Sequence, residues 1–164
     1  MAALDMSRAK HEHDGERVLA TNRKAFFNYE ILERAEAGVS LVGTEVKSIR
    51  DGGLNFRDSY VEFKGGELFL VGALIGPYSH GNLQNHPEDR LRKLLLHKRE
   101  ILKLGGKASE RGLTIVPLRA YFKNGRVKLE IGLARGKRAH DKRESIKRKD
   151  LERETRQAVR NRRG

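Results

Sequence analysis

Residues 113–131 read LTIVPLRAYFKNGRVKLEI. Leu113–Phe122 reads as a strand, with Val116, Leu118 and Phe122 in the two-residue alternation of a half-buried strand. Asn124-Gly125 follows, a pair that readily takes the positive φ angles of a two-residue hairpin turn. Val127, Leu129 and Ile131 resume the alternation on a return strand. Pro117 has no amide proton, so the outgoing strand is expected at a sheet edge or bulged there. A hairpin with one apolar face needs further strands to cover that face, which points to an antiparallel sheet closing on itself.

The flanking sequence supplies those strands. Val61 and Phe63, then Leu68 and Leu70, read as a second hairpin over Ser59–Leu74 with Gly65-Gly66 at its turn. Phe27, Tyr29 and Ile31 alternate in a short strand, Gly38 permits a turn, and Val39 and Leu41 begin another. Glu45–Arg50 reads as a short helix stopped by Gly52-Gly53. Residues 76–86 form a polar loop. Pro87 suits the first turn of a helix reaching about Leu104, with Leu91, Leu94, Leu95, Ile101 and Leu102 inward and Gly105-Gly106 ending it. Lys107–Arg111 adds a helical turn. The expected fold is mainly β: an OB-like antiparallel β-barrel of about six strands, with two or three short helices and a basic C-terminal tail. Residues 1–20 are expected as a flexible leader, 21–133 as the barrel and 134–164 as the tail.

Charge narrows the function. The chain has 164 residues and a net charge of +13, which favours nucleic acid or an anionic surface as partner. Residues 134–164 hold 13 Lys/Arg against 5 Asp/Glu. Their sizeable apolar residues are Ile146, Leu151 and Val159, too few to offset the ordering entropy of such a segment. The tail is therefore expected to be disordered or loosely helical when free, and to fold against something large and anionic. On a helix, Lys142, Lys149, Arg153, Arg156 and Arg160 share one face. The Glu144–Arg148 and Glu152–Arg156 pairs each add only about 0.2–0.5 kcal/mol. A generic solvated tail fits the composition as well, but does not require that spacing.

Other classes find less support. No run approaches the ~18 apolar residues of a membrane span, and the N-terminus lacks the apolar core of a secretory signal. Cysteine is absent, so there is neither a disulfide framework nor a thiolate metal site. His11-Glu12-His13 lies in the leader, where nothing holds a metal geometry. His80 and His86 have no acid pair beside them, and no nucleophile motif or phosphate-cradling glycine loop is present. No cofactor is implied. Basic groups are the better candidates: Arg23 and Lys24 with the Asn22 amide, Lys47 and Arg50, and Lys93, with His97 able to stack on a base. A general RNA-binding OB protein and a metal-dependent nuclease remain alternative readings.

Seven blocks then carry a resemblance: Asn22-Arg-Lys-Ala25, Glu36-Ala-Gly38, Gly43-Thr-Glu-Val-Lys-Ser48, Asp58-Ser-Tyr60, Arg92-Lys-Leu-Leu-Leu-His-Lys98, Val116-Pro-Leu118, and Gly136-Lys137 with Asp141-Lys-Arg143. In this order, over about residues 21–150, they resemble the SmpB family, the SsrA (tmRNA) binding proteins of bacterial trans-translation. The resemblance implies an OB-like barrel that binds the tRNA-like domain of tmRNA. It also implies a tail that becomes helical in the vacant mRNA channel of a stalled ribosome's small subunit. The implied partners are tmRNA, the ribosome at its decoding centre, and elongation factor Tu and alanyl-tRNA synthetase through tmRNA. The implied protein is a cytoplasmic monomer and not a catalyst. The family's tmRNA contacts fall on Glu36, Leu95 and His97. Its decoding-centre residues fall on His140, Asp141, Lys142 and Arg143, preceded by Gly136-Lys137, with Arg138 in the same ribosome-binding tail. Two departures stand out: Pro87 directly follows Asn85-His86 where one residue usually intervenes, and Arg138 replaces a usual Lys.

Overall fold

The computed structural model describes residues 16–79 and 85–163. Nine strands and four helices follow one another: β1 (Glu16–Thr21), α1 (Arg23–Asn28), β2 (Tyr29–Val39), α2 (Gly43–Arg50), β3 (Leu54–Asn55), β4 (Tyr60–Lys64), β5 (Glu67–Val71), β6 (Leu74–Ile75), β7 (Arg92–Leu95), α3 (Lys98–Arg111), β8 (Thr114–Lys123), β9 (Arg126–Gly136) and α4 (Ala139–Arg163). All pairings are antiparallel. The order β8-β4-β5-β7-β2-β9 returns to β8, so six strands close a ring, while β1 adds to β8 beyond its contact with β4. β3 and β6 pair separately.

The two hairpins expected from sequence are present. Asn124 (φ 51°) and Gly125 (φ 74°) link β8 to β9, and Gly65 (φ 60°) with Gly66 (φ 77°) links β4 to β5. Positive φ at both central residues matches the turn twist to the strand twist. The β8–β9 register slips between Pro117 and Arg119, the bulge that Pro117 demands. Inside the ring, Leu68, Leu70, Leu94, Ile115, Leu129, Ile131 and Leu133 form the core with Phe56 and, from α3, Ile101 and Leu104. Each such side chain contributes about 1.5–3 kcal/mol on burial.

Six ring strands agree with the expected count, but the membership differs. Gly38 makes no turn, and β2 runs unbroken to Val39. Phe26–Asn28 belong to α1 because Asn22 caps a helix at Arg23, its Oδ1 accepting from the Ala25 amide at 3.2 Å. The helix expected over 87–104 is a strand followed by a helix. In β7, Arg92 and Leu94 are buried while Lys93 and Leu95 face out. An inward arginine disguises the alternation as a helical stripe. Gly105-Gly106 do not end α3, which runs to Gly112 in left-handed conformation (φ 63°). A Cβ on Gly105 would lie 2.5 Å from the Phe63 ring, so this glycine lets α3 seat on β4.

Arg92 points inward because a partner awaits it. Its Nε donates to Glu45 Oε2 at 2.6 Å, and its Nη atoms donate to the carbonyls of Ala73 (3.1 Å) and Glu88 (3.0 Å). Glu45 Oε1 accepts from Arg90 Nη2 at 2.5 Å and from the Val42 amide at 3.0 Å. Burial pushes the Glu45 carboxyl up, but Arg90, the Val42 amide and Arg92 outweigh it and hold it below the ordinary range. The cluster ties α2 to β7 and to the segment after β6.

The domain boundaries shift at both ends. Residues 16–20, expected in the leader, pair with β8; residues 1–15 lie outside the described residues. Ala134, Arg135 and Gly136 end β9 opposite Ile31, Glu30 and Tyr29, so Gly136 belongs to the barrel and not to the tail. α4 is a helix of 25 residues. Among the described residues it meets the body at α1, where Lys149 Nζ lies 5.9 Å from the Phe27 ring centroid. Ile146 and Leu151 on this helix remain exposed.

Candidate nucleic-acid interface

Glu36, Leu95 and His97 come from two sequence blocks and meet in one groove. It lies between the outer face of β2 and the start of α3, and its volume is about 850 Å³. Antiparallel pairing sets Gly38 opposite Leu95. A Cβ on Gly38 would come within 3.2 Å of Leu95 Cβ, so the glycine allows the leucine to lie over β2. Leu95 is 52% exposed, an apolar platform in a charged setting. His97 is the N-cap residue of α3 but makes no side-chain capping bond. Its ring is exposed. Lys107 of α3 pairs with Glu33 of β2 at 2.6 Å and fixes the helix to the groove wall.

Glu36 is held from across the sheet. Tyr121 of β8 donates its hydroxyl to Glu36 Oε2, and Lys123 Nζ lies 3.3 Å from the same oxygen. The Tyr121 bond, opposed by partial burial and aided by Lys123, keeps the Glu36 carboxyl below the ordinary range. Burial, then Glu36 itself, pushes the Tyr121 phenol well up, so it remains a proton donor at any physiological pH. Glu36 is therefore an acceptor-only carboxylate. Lys128 and Lys103 flank it in the groove, with no carboxylate within ion-pair distance among the described residues. Such a site suits RNA: cations on the rim meet phosphates, while an anion and an apolar platform meet base edges and faces.

The other expected contacts lie elsewhere. Arg23 and Lys24 sit at a second groove, beside Arg57 and the Gly52-Gly53 turn, and Lys24 pairs with Asp58. Asn22 corrects an expectation: it is buried, its Nδ2 donates to the Pro117 carbonyl at 2.8 Å, and its backbone amide donates to Leu118. It supports the β8 bulge and caps α1. Lys47 stands 5.5 Å from the Tyr78 ring and Arg50 4.9 Å from the Phe122 ring. Lys93 faces Glu67 at 3.7 Å. His86 is buried, bonded to Thr44 Oγ1 and to the Ile75 carbonyl, each at 2.9 Å; it is structural.

On α4, Lys142, Lys149, Arg153, Arg156 and Arg160 share one face, as the spacing predicts. Arg138 and Arg143 are exposed, and the Lys137 amide donates to the Asn28 carbonyl at 2.8 Å, starting the helix beside α1. The His140 and Asp141 side chains lie outside the described residues. Sequence reasoning missed Lys103 and Lys128 in the groove, and Tyr121 and Lys123 as the partners that hold Glu36. The alternation of β8 was visible, but which residue of another strand Tyr121 would meet was not.

Fold and groove together define a small OB-type barrel protein with a cationic helical arm. The sequence model of the family described as "SmpB protein" matches residues 19–161, and the chain belongs to the SmpB family. The SsrA-binding protein of Geobacter sulfurreducens (strain ATCC 51573 / DSM 12127 / PCA) is 56% identical over 146 residues, covering 89% of this chain and 95% of the relative. That of Carboxydothermus hydrogenoformans (strain ATCC BAA-161 / DSM 6008 / Z-2901) is 53% identical over 145 residues, covering 88% and 97%. A solved chain from the work "tmRNA-SmpB: a journey to the center of the bacterial ribosome" superposes with a TM-score of 0.64 at 47% identity, covering 79% of this chain and 95% of that one. Among the described residues no helix is long and apolar enough to cross a membrane.

Proposed function

We propose that this chain binds the tRNA-like domain of tmRNA, accompanies alanyl-tmRNA to stalled ribosomes and lays α4 in the vacant mRNA channel. The observation that carries this reading is the convergence of Glu36, Leu95 and His97 on one groove rimmed by Lys103 and Lys128. It is supported by the names of the relatives and of the solved neighbour, which pair such chains with SsrA RNA, tmRNA and the ribosome. The basic stripe of α4 is the second RNA surface. It tracks phosphates in a channel that an intact message fills, so its entry reports a truncated one. Lys137, Arg138, His140, Asp141, Lys142 and Arg143 act at the decoding centre, at the junction of barrel and helix. Arg23, Lys24, Lys47, Arg50 and Lys93 are auxiliary cations, not members of the groove. The protein acts in the cytoplasm as a non-catalytic monomer and meets elongation factor Tu and alanyl-tRNA synthetase through tmRNA.

Competition tests this. Binding to a tRNA-like-domain transcript should survive excess tRNA and moderate salt, and Glu36→Ala should weaken it although a negative charge is removed. Equal affinity for random RNA would mark a general RNA binder instead.

A further inference from the structure

Glu36 carries a charge that opposes RNA, as Glu33 and Glu100 of the same groove do, so its value depends on where its oxygens point. Oε2 is occupied by the Tyr121 hydroxyl and faced by Lys123 Nζ. Among the described residues Oε1 has no hydrogen-bond partner, and Glu36 lines the groove with Leu95 and His97. Tyr121 is 2% exposed, and the Arg119 guanidinium lies 5.0 Å from its ring centroid. Its rotamer is therefore set by packing. A rigid, buried donor on one oxygen orients the carboxylate and leaves the other as an acceptor with a fixed direction.

We propose that Tyr121 is a positioning residue of the groove: it aims Glu36 Oε1 at an amino N–H of an unpaired nucleobase seated on Leu95 and His97. The proposal rests on the groove's being the tmRNA site. A base fits better than a ribose hydroxyl, because the aimed oxygen lies beside an apolar leucine and an imidazole, surfaces that suit a flat ring. Tyr121 itself, covered by Arg119 and Glu36, does not touch RNA.

A double-mutant cycle on the full chain, with a tRNA-like-domain transcript, tests this. Glu36→Gln is expected to weaken binding at least about ten-fold, as loss of a charge-assisted hydrogen bond does. Tyr121→Phe should weaken it by several-fold, and the double variant should bind no worse than Glu36→Gln alone, because Tyr121 acts through Glu36. Transcripts carrying inosine for guanosine, or purine riboside for adenosine, should lose affinity for wild type and not for Glu36→Gln at the contacted position. A 2′-deoxy substitution that did the same in their place would give the contact to ribose and overturn the base assignment.

A second readout needs no RNA, and is taken on a Tyr121→Phe variant whose melting midpoint shows it folded. The Glu36 carboxyl resonance should titrate below the ordinary range in wild type and move up towards it in Tyr121→Phe. The other charged and titratable groups around Glu36 are Lys123 and Lys128, with His97 in the same groove; Glu16 lies 3.6 Å from Lys123, and Glu130 is held by Arg34 and Arg119. An indifferent Glu36→Gln would sink the groove as the tmRNA site. A Glu36→Gln defect with wild-type binding and an unmoved Glu36 titration in Tyr121→Phe overturns only the role of Tyr121. So does an additive double variant, which would mean that Tyr121 touches RNA or acts through the fold.

Discussion

At the scale of single residues, the side chains that deceive a sequence reader hold the barrel together. Arg92 is fully buried and Glu45 with it, a pair worth little over an apolar replacement but costly to break from one side. Arg92→Ala should cost about 3–5 kcal/mol in denaturant unfolding, because it leaves a buried carboxylate short of its partner. Arg92→Met with Glu45→Leu should recover much of that loss. Gly105→Ala tests the opposite intuition. Alanine favours a helix by about 1 kcal/mol over glycine. Its Cβ would meet the Phe63 ring at 2.5 Å, so overpacking of about 1–3 kcal/mol should win and the melting midpoint should fall. Acid acts through the same cluster. The folded carboxyl of Glu45 is held below its unfolded value, so its contribution is complete above about pH 4.3. That contribution is lost as pH falls through the folded value. Denaturant midpoints at pH 6 and pH 3 should show lower stability at pH 3, and the Glu45→Leu/Arg92→Met variant should show a smaller drop.

At the scale of elements, α4 differs from every other helix. α3 buries Ile101 and Leu104 in the core, whereas α4 keeps Ile146 and Leu151 exposed and meets the body at α1. An isolated helix lacking a buried face is marginal in water. Amides past about residue 150 should therefore exchange nearly unprotected in the free protein and become protected on the ribosome. Deleting residues 139–163 should leave the melting midpoint and tmRNA binding close to wild type while abolishing peptide tagging. Loss of tmRNA binding on that deletion would mean that the arm, and not the groove, holds the transcript. The cut belongs at 139 and not at 134, since Ala134–Gly136 are paired along β2.

At the scale of the whole molecule, the two proposed RNA surfaces differ in physics. The groove mixes Arg34, Lys103 and Lys128 with Glu33, Glu36 and Glu100 around an apolar platform, while α4 carries a row of cations on one face. Affinity that neutralises Z phosphates falls with log salt at a slope of roughly −0.7Z to −0.9Z. Ribosome association should therefore be steeper in salt than tmRNA binding, and the truncated chain should lose most of that excess slope.

The sequence by itself determined the local pieces of this protein: both hairpins, the bulge at Pro117, the helix after Gly43 and the cationic stripe of the tail. Each depends on residues within a few positions of one another, where turn dihedrals and periodicity act without help. Tertiary structure decided what no local pattern carries. Arg92 enters the core, turning an expected helix into β7, only because Glu45 stands 47 positions away. Residues 16–21 become a strand only because β8 offers an unpaired edge. Glu36 becomes a directed acceptor only because ring closure brings Tyr121 across from 85 positions away. Burial of a charge and closure of a sheet are long-range events, stable only when both partners arrive together.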